Sequence, residues 1–373
     1  MSSTPDLERV AAAAEAVLAL PDGPLGVALG VATDAGTRVE AVGSADSSAR
    51  AVTPGSRFDV ASVTKVVATT SAIHRLASLG ELDLDDEVSR YVPSSACAPG
   101  TTLSTLMLHR SGLWEWQPLY LARTPDGRRE DPFAALDALP LRYEPGRQRA
   151  YSDLGFVYLG RVVSAVTGLA LADAVAELVL QPVGLAHTGY GPVSGDVVAS
   201  APDEQIEREM VRTGVPYPVL YERQDVPWRT SEILGEVDDG NCYHALGGVS
   251  GHAGIFSTVP DLLRLGRSLA TAGDHGELWR PDVTATLFAE GPDAGQALGW
   301  RTQPVDLDGV TRTMLWHPGF TGCALGFVPG TGLAVAMLSN RLMSGSPLPT
   351  ATLWGTALAR LGLSPATDEG NLP

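Results

Sequence analysis

Ser62 and Lys65 stand three residues apart, a spacing that sets a hydroxyl and an amine on one face of a helix, within hydrogen-bonding reach. A serine hydroxyl is a weak nucleophile and needs an adjacent base. A lysine freed of its proton by burial and neighbouring charge can serve as one. Lys65 also stands out by composition: of the 26 Lys and Arg residues, every one but Lys65 is arginine. A guanidinium stays protonated at any biological pH, so this position keeps an amine where arginine cannot substitute. Two further segments carry reactive side chains. Tyr151-Ser152-Asp153 follows Glu144-Pro145-Gly146 and offers a phenol that can move a proton beside Lys65. Asp153 also reads as the N-cap of the helix that begins there. His317-Pro318-Gly319-Phe320-Thr321-Gly322 offers an imidazole, with glycines that let a substrate approach a strand backbone.

These groups need a scaffold, and its elements are read from apolar periodicity. A helix is expected over 6–20, then a hairpin from 25–33 and 37–43 around Asp34-Ala35-Gly36. Arg57 to Val60 reads as a short strand running into Ser62. From there Val63, Val66, Val67, Ile73, Leu76 and Leu79 recur at helical spacing until Gly80. This places Ser62 at a helix start, where free N–H groups and the dipole favour negative charge. Further helices are expected over 101–108, 132–139, 153–167 and 170–180. Residues 190–258 show weak periodicity and many turn residues, an irregular excursion bordering the cleft. Helices return at 260–271 and 281–289, strands at 297–303, 311–317, 322–328 and 332–339, and a last helix at 347–361. Strands at both ends with helices between imply an α/β fold of the α+β type. One antiparallel sheet is built from both termini and flanked by helices, with an inserted all-helical subdomain. The chain, 1–373, reads as a single domain: an α/β part from 1–61 and about 255–373, a helical part over about 62–190, and the excursion over about 190–255.

Composition narrows the function. Hydrophobic residues make up 44% and charged ones 18%, as in an ordered globular protein. A net charge of −17 disfavours nucleic acids and anionic membranes as partners. Cys97, Cys242 and Cys323 are odd in number and far apart, which fits reduced thiols better than a disulfide framework. Ala11 to Leu20 is short for a signal peptide, is interrupted by Glu15, and follows Asp6 and Glu8 where cations belong. The expectation is a cytoplasmic chain. Asp238, Asp239, Cys242, His244 and His252 match no compact ligand spacing, so no metal is expected, nor any other cofactor.

Ser62-x-x-Lys65, Tyr151-x-Asp153 and His317-x-Gly319 together resemble the three signatures of the penicillin-recognising serine enzymes, with their β-lactamase-like fold. The nearest branch looks like class C β-lactamases, family VIII esterases and D-aminopeptidases. The likeness extends to Arg57 to Ala61, to Leu106 to Leu113, to Tyr143 to Gly146, to Gly247 to Gly254, and to Leu338 to Arg341. The resemblance implies that Ser62 forms an acyl-enzyme while Lys65 and Tyr151 shuttle its proton, the assignment of the base between them staying open. It implies an oxyanion hole from the backbone N–H groups of Ser62 and Phe320. Trp114, after Gly112, reads either as a wall of an acyl pocket or as an ordinary part-buried aromatic.

Two departures bear on the substrate. The family's second motif usually ends in Asn, an amide donor, whereas Asp153 only accepts. Its third motif usually begins with Lys, whereas His317 is mostly neutral at pH 7. Both disfavour β-lactams and favour esters or activated acyl groups. The expected partners are a small-molecule acyl donor and either water or a small amine or alcohol as acceptor, in hydrolysis or transacylation. A D-amino-acid amidase or aminopeptidase, with Asp153 receiving the substrate ammonium, is the alternative. A non-catalytic sensor or scaffold is a third reading.

Overall fold

The computed structural model describes residues 7–272, 278–307 and 309–364. Strands β1 (Gly26–Thr33), β2 (Gly36–Gly43), β6 (Arg301–Leu307), β7 (Val310–Pro318), β8 (Ala324–Phe327) and β9 (Ala334–Ser339) form one antiparallel sheet in the order β2-β1-β9-β8-β7-β6. Chain ends meet in its middle, where β1 pairs with β9 from Val27 opposite Ser339 to Ala32 opposite Ala334. Both strands are buried along their whole length. The reason is that helices cover both faces, so apolar side chains are selected on both sides of the pleat.

On one face, helices Arg9–Leu18 and Thr350–Leu361 set Val10, Ala14, Val17, Leu353 and Trp354 against Val27, Leu29, Val335 and Met337. The ring of Trp354 lies parallel to that of Trp316, centroids 5.8 Å apart. The first residue of the expected 6–20 helix lies outside the described residues. On the other face, helix Val259–Ala270 packs on the sheet and leads into the helical layer. A side chain at Gly30 would meet Val259 Cγ1 at 2.6 Å, so its absence lets that helix close on β1.

A second, three-stranded sheet positions the reactive segment. β3 (Phe58–Asp59), β5 (Ile255–Ser257) and β4 (Gly189–Tyr190) pair in the order β3-β5-β4. Val60 N–H donates to the Ile255 carbonyl at 3.0 Å. The helix entered there is not uniform. Ala61–Val63 is a 3₁₀ turn, Lys65–Thr70 is a π turn, and Ser71–Leu79 is α-helical before Gly80 ends it in the left-handed conformation. Such wide turns concentrate at functional sites, where they re-aim side chains.

The excursion expected to be irregular contains helix Gln205–Thr213. Only Val211 of that helix is buried, with Met210 partly buried beside it, and the stripe of Ile206, Met210 and Val211 is too short to stand out among the surrounding turn residues.

Candidate active site

Ser62 lies in the first turn of its helix, directly after Ala61, whose φ of 46° is in the left-handed region that alanine rarely adopts. Asp59 holds this strained turn: its Oδ1 accepts from Ala61 N–H at 2.8 Å, and its Oδ2 from Asp238 N–H at 2.6 Å. Thr64 fixes the next turn by accepting from Ile255 N–H at 3.1 Å.

Lys65 is 0% exposed. Its Nζ donates to Ser62 Oγ at 2.9 Å, to Asp153 Oδ1 at 2.6 Å and to the His252 carbonyl at 3.3 Å. The Tyr151 ring centroid is 5.0 Å from the same nitrogen. Burial drives the Lys65 ammonium toward deprotonation. The attraction of Asp153 and Tyr151, with hydrogen bonding to both, outweighs it, so the group titrates above the usual lysine range. The balance of these groups favours the ammonium form of Lys65.

Asp153 is also not the helix cap. Ser152 holds that position, its Oγ accepting from Gly155 N–H at 3.1 Å and donating to the Trp114 carbonyl at 2.6 Å. Asp153 is the first residue of helix Asp153–Thr167, which leaves its carboxylate for Lys65. Its own N–H donates to the Glu115 carbonyl at 2.9 Å. Trp114 contributes that backbone oxygen to Ser152, while its indole N–H donates to the Pro140 carbonyl at 2.9 Å and its ring lies under Arg142.

Tyr151 lies between two imidazoles, its ring centroid 4.5 Å from His109 and 6.2 Å from His317. His109 Nδ1 accepts from Ser152 N–H at 3.0 Å. His317 Nδ1 bonds the Pro318 carbonyl at 2.8 Å and so carries the proton there. Burial first, then the Lys65 charge, pushes both imidazoles well below the ordinary histidine range, and both are neutral.

At the end of β7, a side chain on Gly319 would meet the Val60 carbonyl at 2.3 Å. The glycine thus admits this chain's own backbone beside the nucleophile turn, not only a substrate as its sequence suggested. Phe320 follows with its ring 47% exposed. Among the described residues, the N–H groups of Ser62 and Phe320 have no backbone or side-chain acceptor.

Sequence reasoning missed the wall behind Lys65. Asp239 bonds His252 Nε2 at 3.0 Å, and Ser250 bonds the other imidazole nitrogen at 2.7 Å. This fixes the residue whose carbonyl receives Lys65. His244 pairs with Glu204, and Cys242 with the Ala253 carbonyl, at 3.0 and 3.4 Å. No group of three or more potential ligands among the described residues is arranged to hold a metal. Burial lifts Asp59 to about 6, and burial with repulsion from Asp59 lifts Asp238 to about 8.

Two stability measurements test this arrangement. In urea unfolding at neutral pH, Ser152→Ala should cost about 1 kcal/mol, the usual value of a cap. Asp153→Asn should cost about 3 kcal/mol, because it strands a buried ammonium. Folding raises the pKa of Lys65, so the pair's contribution is complete at neutral pH and lost only as pH climbs through the folded-state value. Equal losses would reduce Asp153 to a helix-end residue. Asp59 and Asp238 give a pH dependence of the same direction in a lower window. Their carboxyls are raised on folding, so stability falls as pH rises from about 4 through about 8, where the unfolded chain has already released protons that the folded one retains. Asp238→Asn should gain on the parent across that window, and a constant difference would refute the raised carboxyl.

The Beta-lactamase family model matches residues 14–356. The chain is 32% identical over 314 residues to a putative D-alanyl-D-alanine carboxypeptidase of Escherichia coli K12, covering 78% of this chain and 70% of the relative. A class C β-lactamase from Rhodobacter sphaeroides superposes with a TM-score of 0.67 at 23% identity, over 95% of this chain and 98% of that one. EstCE1, a hydrolase with promiscuous acyltransferase activity, superposes with a TM-score of 0.66 at 20% identity, over 95% and 97%. The two solved structures establish likeness of fold, and the family match with the carboxypeptidase-like relative establishes descent. The chain belongs to the β-lactamase family and has its serine hydrolase fold.

Proposed function

We propose that the chain is a serine esterase or transacylase that works through an acyl-Ser62 intermediate. The observation that carries this reading is the 2.9 Å contact of Ser62 Oγ with a fully buried lysine, at a helix start with unpaired backbone donors. Ser62 Oγ attacks the acyl carbonyl. Its proton passes to Tyr151 acting as a phenolate, which becomes a phenol, while the Lys65 ammonium, already donating to Oγ, stabilises the negative charge that develops there. An ammonium cannot itself accept that proton, which moves the base role to Tyr151. The N–H groups of Ser62 and Phe320 receive the oxyanion. Tyr151 returns the proton to the leaving alkoxide as its bond to the acyl carbon breaks. Water, or a small amine or alcohol, then attacks the acyl-serine, with Tyr151 taking the incoming proton.

Asp153 argues for esters. Its carboxylate is engaged by Lys65, and it has no amide N–H to offer a substrate carbonyl. The same engagement weakens the amidase reading, which needs Asp153 free for a substrate ammonium. A serine-directed fluorophosphonate should add once, at Ser62, and Ser62→Ala should abolish the addition. The labelled activity should be far higher on simple aryl esters than on penicillins or cephalosporins. Labelling at another serine, or β-lactam turnover matching the ester rate, would overturn the proposal.

A further inference from the structure

His109 occupies a backbone position that glycine ordinarily takes. Helix Leu103–Met107 ends at Leu108, and the chain then turns through the left-handed region, with a φ of 56° at His109. His109 N–H donates to the Leu106 carbonyl at 2.9 Å and Arg110 N–H to the Thr105 carbonyl at 3.0 Å. This paired closure of a helix end usually has glycine, or less often asparagine, at the left-handed residue. Gly80, Gly168 and Gly362 obey that preference where their own helices stop. An imidazole kept at such a place carries backbone strain, and strain held in this way points to a role for the side chain.

The partners of His109 show what that role is. Its carbonyl accepts from Ala150 N–H at 2.9 Å, and its Nδ1 accepts from Ser152 N–H at 3.0 Å. One residue thus holds the backbone on both sides of Tyr151. Its ring also packs against the phenol ring, centroids 4.5 Å apart, and against the Phe156 ring at 5.3 Å. His109 and Ser152 are both buried, so water does not compete for the Ser152 N–H. An imidazole accepts at Nδ1 only when its proton sits on Nε2, and burial, followed by the Lys65 charge, keeps this one neutral. Neighbouring residues extend the hold. The Arg110 carbonyl accepts from Gly146 N–H at 2.8 Å, and the Gly112 carbonyl from Arg142 and Tyr143 N–H at 2.9 and 3.0 Å. No helix or strand intervenes between helix Pro132–Asp137 and helix Asp153–Thr167, so these contacts set where the loop delivers Tyr151.

We propose that His109 is the positioning residue of Tyr151: it pins the backbone before and after the phenol and so sets its approach to Ser62 and Lys65. The inference rests on the acyl-Ser62 reading with Tyr151 as base. It assigns His109 no contact with the substrate and no proton of its own to move. The Lys65 Nζ lies 5.0 Å from the Tyr151 ring centroid, and a proton transfer in so close a group depends on each member being held in place.

The test compares two side-chain amides. Asparagine places its amide oxygen where the imidazole holds Nδ1 and tolerates the left-handed backbone, whereas glutamine reaches to the Nε2 position and leaves the Ser152 N–H without an acceptor. On 4-nitrophenyl butyrate, His109→Gln should lose about a hundredfold in kcat, the scale of a misplaced reacting group, with KM little changed. His109→Asn should recover most of that loss. Amide hydrogen exchange supplies the second readout: Ser152 should exchange faster in His109→Gln and stay protected in His109→Asn. Full kcat in His109→Gln overturns the proposal. Equal losses in both variants also overturn it, since ring packing alone would then matter. A loss confined to His109→Asn would give the role to the Nε2 proton and overturns it too. Should His109→Gln not fold, His109→Asn decides: kcat and Ser152 protection near the parent's support the anchor, and loss of either refutes it. If the parent turns over no ester and takes no fluorophosphonate at Ser62, the acyl-Ser62 reading fails and Ser152 exchange decides for the anchor. Selective loss of protection in His109→Gln supports it, and equal protection in all three proteins refutes it.

Discussion

An ammonium with no exposure to water is retained in a fold only when its charge is met at close range, and at Lys65 a single carboxylate meets it. Asp153 Oδ1 lies 2.6 Å from Nζ, with Ser62 Oγ and the His252 carbonyl as the remaining acceptors. Three hydrogens and three acceptors leave the ammonium satisfied, which a buried charge requires. Each acceptor comes from a different part of the chain: the nucleophile turn, the start of helix Asp153–Thr167, and the segment entering β5. Placing this one cation therefore fixes how the helical layer meets the sheet.

Much of the surrounding structure serves that placement. Asp59 holds the strained Ala61 turn and, through its second oxygen, the backbone of Asp238. One residue on, Asp239 orients His252, whose carbonyl returns to Lys65. The buried acids thus join the front and back of the nucleophile turn. Their raised carboxyls are the energetic cost of that join. Ser152 takes over capping, which frees Asp153 for the cation. Gly319 lets β7 close on Val60, bringing Phe320 N–H to the side of the nucleophile turn.

The sheet was legible because β1 and β9 are apolar on both faces, and the helices of the 62–190 region because their buried residues recur at helical spacing. Helix Gln205–Thr213 was not, its stripe of Ile206, Met210 and Val211 being short and set among turn residues. Ser62 and Lys65 could be singled out from spacing and from the lysine's solitary status. The charge state of that lysine could not. It depends on a carboxylate 88 positions away in sequence, and local spacing carries no information about a contact of that range. Asp153 was ambiguous for a related reason. A cap and the first helical residue differ by one position, and Ser152 and Asp153 are both good caps.

The solitary lysine makes the central claim directly measurable. Protein grown on lysine labelled with nitrogen-15 at the ζ position contains one labelled amine, and its chemical shift followed against pH reports the protonation of Lys65 alone. The account predicts an ammonium signal at neutral pH that persists as pH rises past the ordinary lysine value of about 10.4, and that titrates earlier in Asp153→Asn. A neutral amine signal at pH 7 in the parent protein would contradict it and return the base role to Lys65.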